Sequence, residues 1–138
     1  MTTVESLNSE ESIKTHVEKQ FIVTCTSGFD KIANARSALM FASLAAAADF
    51  KTILFYLQNG VDVMVKGAIE KNETTTPGVP TLAQRLSEAL EMGVEIQCCT
   101  QTMANKKITA EDLIPQVKLA GAMNLIDLTT KADGTLCF

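Results

Sequence analysis

The chain has 138 residues, a length that suits one domain with its own hydrophobic core. Hydrophobic residues make up 46% of the chain and charged residues 20%, a composition that excludes wholesale disorder. The net charge of -4 disfavours nucleic acid as the main partner, because phosphate binding needs clustered lysine and arginine.

The N-terminal segment, residues 1–19, is rich in Ser, Thr, Glu and Lys, and we interpret it as a polar arm that precedes a domain over 20–138. Its acidic start is unlike a signal peptide, and no apolar run approaches the ~20 residues of a membrane span. We therefore expect a cytoplasmic protein whose four cysteines stay reduced.

The first half of the domain alternates apolar runs with an Ala-rich stretch. The run FIVTC predicts a buried strand that ends at Ser27-Gly28, and DKIANARSALMFASLAAAADF predicts a helix with a narrow face of small residues. KTILFYL predicts a second strand that ends at Asn59-Gly60, followed by a short helix over 61–69. The next stretch, EKNETTTPGVP, is predicted as a loop.

The second half repeats this alternation. TLAQRLSEALEM predicts a helix with Gly93 just past its end, and VEIQCC predicts the third strand. A helix is expected to begin at Thr109 and to be limited by Pro115. VKLAG, AMNLIDLTTKAD and GTLCF then predict a strand, a helix and a closing strand. The pattern predicts a single three-layer α/β domain with a mainly parallel sheet of about five strands flanked by helices.

Three loops should meet where reactive groups gather in such folds, at the carboxyl ends of the strands. They are TSGFD after the first strand, QNGVD after the second and CTQTMANKK after the third.

The adjacent cysteines Cys98 and Cys99 should point to opposite faces of the third strand. Cys98 shares its face with Ile96 and is predicted to lie in the core. Cys99 shares its face with Gln97, ends the strand, and is the candidate reactive thiol. A buried structural thiol is the alternative interpretation of Cys99, because free cysteines are commonly buried.

A thiol reacts as its thiolate, which positive charge or helix N-termini stabilise. Lys106, Lys107 and the amides of a helix near Thr109 would supply this charge if the loop folded back over the cysteine. Thr100 and Thr102 would donate hydrogen bonds to the sulfur or to a bound oxyanion. Solvated lysines and hydroxyls bonded to local backbone are the alternatives.

The sequence does not contain the residue patterns that other common catalytic or metal sites require. Cys25 and Cys137 are interpreted as packing residues within strands. Cys137 is also kept as a weaker candidate for a reactive thiol, because a terminus can move. His16, the only histidine, lies in the arm, so a Cys-His pair or a Ser-His-Asp triad has no obvious base. Adjacent cysteines lack the spacing for a zinc site, and no Gly-rich phosphate loop is present. We therefore expect neither metal nor cofactor.

Three stretches of the chain resemble the DsrE/DsrF-like sulfur-relay family over residues 20–138. They are TSGFDKIANARSALMFASLAAA, ILFYLQNGV with VMVKGAI, and IQCCTQTM. The most specific element is a cysteine followed by Thr, any residue, Ser or Thr, and Met, which corresponds to Cys99, Thr100, Thr102 and Met103. Cys98 stands where the family usually has a small residue.

The resemblance implies a cytoplasmic homo-oligomer, trimeric or hexameric, that carries sulfur on Cys99 as a persulfide or a thiosulfonate. It implies exchange of that sulfur with a TusA-like carrier or a rhodanese-type protein. Cys98 is a possible second thiol, and the predicted supporting residues are Thr100, Thr102, Met103, Lys106, Ser27, Gly28, Asn59 and Gly60.

Two other functions remain open. One is a non-catalytic assembly subunit of a sulfur-relay complex. The other is a thiol redox sensor, in which Cys99 forms a disulfide with Cys137 or with another chain.

Overall fold

The computed structural model describes residues 18–138, which form one parallel sheet with helices on both faces. The strands are β1 (Gln20–Cys25), β2 (Lys51–Tyr56), β3 (Glu95–Cys99), β4 (Val117–Ala120) and β5 (Gly134–Cys137). The α-helices are α1 (Ile32–Ala47), α2 (Ala68–Asn72), α3 (Leu82–Glu91), α4 (Thr100–Lys106) and α5 (Ala122–Lys131). Three 3₁₀ segments cover Phe29–Lys31, Gln58–Met64 and Ala110–Asp112.

The sheet confirms the predicted fold class. Its strand order is β4-β3-β2-β1-β5, and every neighbouring pair is parallel. The chain steps in one direction from β1 to β4 and then returns across the sheet to β5. Because crossovers between parallel strands are right-handed, the return puts α5 on the face opposite α1 and α3.

The α1 and α3 face holds the main core. Helix α1 packs on β1, β2 and α3 through small side chains, which allow a close approach to the sheet. Its buried residues are Ala35, Ala38, Leu39, Ala42 and Ala45. Ile32 and Ala46, which share the predicted face with Ala35, Leu39 and Ala42 at spacings of 3 and 4, are half-buried. Helix α3 buries Leu82 and Ala89 and ends before Gly93, whose φ of 85° is the left-handed conformation expected of a C-terminal glycine.

Three local predictions were wrong. The short helix expected over 61–69 is instead the 3₁₀ segment Gln58–Met64, and α2 begins only at Ala68. The polar run after β3 is helix α4, and the helix expected from Thr109 is only the three-residue 3₁₀ segment Ala110–Asp112. The chain leaves that segment because Leu113 pairs with Val65 in a β-bridge and Ile114 N–H donates to the Met64 carbonyl at 2.9 Å.

Most of the predicted N-terminal arm, including His16, lies outside the described residues, so the boundary at residue 20 stays a prediction. Within residues 18–138, none of the helices has the length and apolar character needed to span a bilayer.

Candidate functional site

The loops after β1 and β2 touch backbone to backbone at the carboxyl edge of the sheet. A Cβ atom at Gly28 would collide with the carbonyl oxygen of Asn59, and one at Gly60 would collide with the carbonyl oxygen of Cys25. Only glycine permits this approach at the two positions. The predicted meeting of these loops therefore has a specific cause in the sequence.

A network of hydrogen bonds joins the loop after β1, the loop after β2 and helix α4, which follows β3. Asp30 accepts hydrogen bonds from the Gly28 N–H at 3.0 Å and from Asn59 Nδ2 at 3.2 Å, and these two bonds lower the pKa of its carboxyl group. Lys106 Nζ donates to Asn59 Oδ1 at 3.1 Å and to Asp62 Oδ2 at 3.2 Å. The far end of α4 is thereby fastened to the loop after β2.

The sequence analysis missed Asp30 and Asp62 as members of this network. A signal was available, because each is the last residue of the quoted loop, TSGFD or QNGVD, and each lies two residues after the glycine of that loop. A short acidic side chain at such a position commonly bonds to nearby backbone amides.

Helix α4 begins directly after the candidate thiol. Cys99 is the last residue of β3 and the N-cap of α4. In the first turn, Thr102 Oγ1 accepts a hydrogen bond from the Gln58 N–H at 3.1 Å, and Met103 is buried. These contacts hold the start of α4 against the loop after β2, whereas Thr100 is exposed.

The two lysines do not fold back over the cysteine. Helix geometry carries Lys106 about 9 Å along the axis from Thr100, to its partners Asn59 and Asp62. Lys107 follows as an exposed residue with a left-handed φ of 57°. The Thr102 hydroxyl is likewise bonded to backbone. Cys99 stands at the N-cap position of α4, but its side chain makes no capping hydrogen bond to the helix.

The Cys99 side chain is only 5% exposed. It forms a small apolar cluster with Phe55 of β2 and Ala120 of β4, and Leu57 and Leu125 pack against this cluster. Leu125 belongs to α5, so the thiol lies between the sheet and that helix.

The face of β3 that looked polar in the sequence is also covered. Gln97 is 7% exposed, and its Nε2 donates to Glu95 Oε2 at 2.7 Å. Its Oε1 accepts from Asn124 Nδ2 of α5 at 2.8 Å, and Glu95 pairs with Lys118 at 2.8 Å. The polar residues of this face thus bond to one another and to α5.

Cys98 and Cys25 lie on the opposite face, within the main core. Both are fully buried, and burial raises the pKa of Cys98 to about 12 and that of Cys25 to about 11. The Cys25 thiol also donates to the Ser27 carbonyl oxygen at 3.2 Å, while Ser27 itself is buried. Both thiols are protonated and unreactive at neutral pH.

Cys137 is exposed on the edge strand β5. Strands β3 and β5 are separated by β2 and β1, so three inter-strand steps place Cys99 and Cys137 about 14 Å apart across the sheet. A disulfide needs Cα atoms within about 7 Å. In this fold the redox-sensor alternative therefore requires a second chain.

Of the predicted supporting residues, six meet at this edge of the sheet: Gly28, Asn59, Gly60, Thr102, Met103 and Lys106. Among residues 18–138, no group of three His, Cys, Asp or Glu side chains is placed to bind a metal ion.

A sequence profile of the DsrE/DsrF-like family matches residues 19–138. The chain belongs to the DsrE/DsrF-like family. Members of this family are generally linked to sulfur relay.

Curated relatives occur in methanogenic archaea. The uncharacterized protein MJ0989 of Methanocaldococcus jannaschii is 32% identical over 104 residues, which cover 75% of this chain and 86% of the relative. The uncharacterized protein MJ0760 of the same organism is 25% identical over 124 residues, which cover 90% of this chain and 44% of the relative. The chain therefore spans less than half of the length of MJ0760.

Solved structures share the fold at low identity. YchN of E. coli superposes with a TM-score of 0.65 at 16% identity, covering 87% of this chain and 99% of YchN. MTH1491 of Methanobacterium thermoautotrophicum, a protein of unknown function, gives a TM-score of 0.62 at 14% identity, covering 88% and 99% of the two chains. At these identities the similarities show a shared fold.

Proposed function

We propose that this protein is a sulfur carrier or sulfurtransferase that holds a sulfane sulfur or a thiosulfonate group on Cys99 and passes it to a partner thiol. The observation that carries the proposal is the position of Cys99, which ends β3 at the carboxyl edge of the sheet and immediately precedes helix α4. The Cys-Thr-Gln-Thr-Met context of this residue in a DsrE/DsrF-like chain supports the same assignment.

Loading requires only thiol–disulfide chemistry. The Cys99 thiolate attacks a sulfane sulfur, a new S–S bond forms, and the leaving group is a shorter polysulfide or, from thiosulfate, sulfite. Attack on tetrathionate expels thiosulfate and leaves a thiosulfonate group on the cysteine. Unloading reverses the roles, because the partner thiolate attacks the sulfane sulfur bonded to Cys99 Sγ, the S–S bond to Cys99 breaks, and Cys99 leaves as the thiolate.

The differences among the four cysteines favour Cys99 for this role. Among the described cysteines, Cys99 is the one that ends a strand at the carboxyl edge of the sheet and stands at the N-cap position of a helix. Cys25 and Cys98 lie in the main core, and burial raises the pKa of both thiols, which keeps them protonated. Cys137 is exposed but lies on the edge strand β5, three inter-strand steps away from the strand that carries Cys99.

We further propose a cytoplasmic homo-oligomer, trimeric or hexameric, that exchanges sulfur with a TusA-like carrier or a rhodanese-type protein. Exposed apolar side chains support association. Phe41, Leu44 and Met92 are 38%, 57% and 46% exposed, and the last two line a groove of about 250 Å³ between α1 and α3.

Intact-protein mass after incubation with polysulfide, thiosulfate or tetrathionate tests the proposal. We expect a reducible adduct of about 32 Da per sulfur atom, or about 112 Da for a thiosulfonate, on the wild type and on Cys137→Ser. Cys99→Ser, a near-isosteric change, should fold normally and gain no adduct. An adduct that persists in Cys99→Ser and disappears in Cys137→Ser would move the assignment to Cys137.

A second candidate is a non-catalytic assembly subunit of a sulfur-relay complex. The observation that favours it is the burial of Cys99, whose side chain is 5% exposed. This candidate predicts no sulfur adduct on the native wild type with any of the three donors.

A further inference from the structure

We propose that helix α5 is a displaceable cover over the Cys99 thiol, and that Leu125 and Asn124 determine how often the thiol is exposed. The purpose of this motion rests on the proposed function, because a sulfur carrier must admit both a donor and an acceptor. The motion itself can be measured without any sulfur compound.

The closed arrangement leaves little of Cys99 exposed. Attack on a donor requires the thiolate to contact the donor sulfur directly, yet the Cys99 side chain is 5% exposed. Part of its surroundings is the sheet itself, with Phe55 and Ala120 on strands that are hydrogen-bonded into the same sheet as β3. The remaining wall consists of Leu57, whose N–H is bonded to the Cys25 carbonyl of β1 at 3.1 Å, and of α5, whose Leu125 packs against the cluster. Opening must therefore displace α5 rather than the strands.

Helix α5 is held to the sheet weakly. It has no fully buried side chain, whereas α1 buries five. Within residues 18–138, the bond from Asn124 Nδ2 to Gln97 Oε1 is the one side-chain hydrogen bond that joins α5 to another element. Its N-cap residue is Gly121, which has no side chain with which to cap the helix. Regions with few buried contacts open locally at low free-energy cost.

The two ends of α5 are anchored differently. After its C-terminal end, Asp133 N–H donates to the Gln20 carbonyl at 2.8 Å, and Asp133 Oδ2 accepts from the Gln20 N–H at 2.8 Å. The N-terminal end follows Ala120, which is the β4 partner of Cys99 in the sheet register. Both ends are therefore tethered to strands, and near the thiol the helix itself is held by the Asn124 hydrogen bond and the packing of Leu125.

Alkylation by iodoacetamide tests the cover. Iodoacetamide is small and neutral, and the thiolate displaces iodide to form a stable thioether that mass spectrometry assigns to each cysteine. We expect Leu125→Ala and Asn124→Ala to accelerate alkylation of Cys99 by about tenfold, because each removes a contact that closes the cover. Met123→Ala is the matched control, since Met123 lies in the same helix turn but is 76% exposed.

Cys25 reports on global unfolding in the same samples, because it is fully buried on the opposite face of the sheet. The proposal requires that the variants leave the Cys25 rate unchanged. Two results would overturn it. One is an increase in the alkylation rate of Cys99 that is matched by an equal increase for Cys25. The other is an unchanged Cys99 rate in both Leu125→Ala and Asn124→Ala. Hydrogen exchange of the wild type gives a second test, in which α5 amides as protected as those of α1 would contradict a cover.

These outcomes are separate from those of the sulfur-loading experiment. Faster alkylation of Cys99 in the α5 variants, together with no sulfur adduct on the wild type, would support the cover and contradict the carrier function. Sulfur loading of Cys99, together with no effect of the α5 variants on its alkylation rate, would support the carrier function and contradict the cover.

Discussion

At the scale of single residues, two adjacent cysteines occupy opposite environments. Cys98 lies in the main core beside Tyr56, its register partner on β2, and Cys99 lies in the small cluster under α5. The alternation of side chains along a strand accounts for the difference. One position therefore supplies a protonated packing residue, and the next supplies a thiol at the start of a helix.

The Tyr56 hydroxyl gives the residue-scale prediction. Among residues 18–138 it has no hydrogen-bond partner although it is fully buried, and burial raises its pKa well above the ordinary value. An unsatisfied buried hydroxyl costs free energy on folding. Tyr56→Phe should therefore raise the free energy of unfolding by about 1 kcal/mol, as measured by urea denaturation.

Tyr56→Leu is the matched control for packing, because it removes the ring as well as the hydroxyl. It should lower the free energy of unfolding by about 1 to 3 kcal/mol. A Tyr56→Phe protein less stable than the wild type would show that the hydroxyl has a favourable partner in solution.

At the scale of elements, the helix that follows β3 was not predictable from its own sequence. The segment TQTMANK contains two threonines, which are poor helix formers, and reads locally as a loop. Tertiary contacts decide its conformation. Thr102 accepts from the Gln58 N–H in the first turn, Met103 is buried, and Lys106 binds Asn59 and Asp62 in the last turn.

The cover over Cys99 could not be predicted either. Along β3, Glu95 and Gln97 alternate with apolar residues, a pattern that indicates a face partly open to solvent. That face is closed because the connection from β4 returns across the sheet and lays α5 over it. Strand order is a long-range property, and the local pattern of one strand does not contain it.

The loop before α3 gives the element-scale prediction. The Glu73 side chain is 5% exposed, and its two carboxylate oxygens accept from the Leu82 N–H at 2.7 and 2.9 Å. Arg36 lies 3.6 Å away on α1. Glu73→Gln keeps the shape but removes the charge from these contacts, so it should lower the free energy of unfolding by about 1 to 2 kcal/mol.

Urea denaturation of Glu73→Gln beside Glu70→Gln checks this prediction. Glu70 is an exposed residue of α2, three positions earlier, and its substitution should leave stability unchanged. Equal stabilities for the two variants would contradict a role for Glu73 in fastening the loop to α3.

At the scale of the whole molecule, the fold class was predictable because it depends on features that repeat along the chain. Apolar strands alternate with helices, and Gly28 and Gly60 mark the ends of β1 and β2, where the loops come into contact. The carboxyl edge was predicted as the meeting place for the same reason. The roles of Asp30 and Asp62 depend on which loops face each other, and that information appears only in the assembled sheet.

The central claim concerns the choice of one thiol among four, and a competition measurement tests it most directly. The native wild-type protein is treated with one equivalent of polysulfide, and peptide mapping locates the added sulfur among its cysteines. We predict that most of the sulfur is found on Cys99, although Cys137 is the exposed thiol. Sulfur distributed according to exposure, with most of it on Cys137 and none on Cys99, would contradict the proposed carrier function.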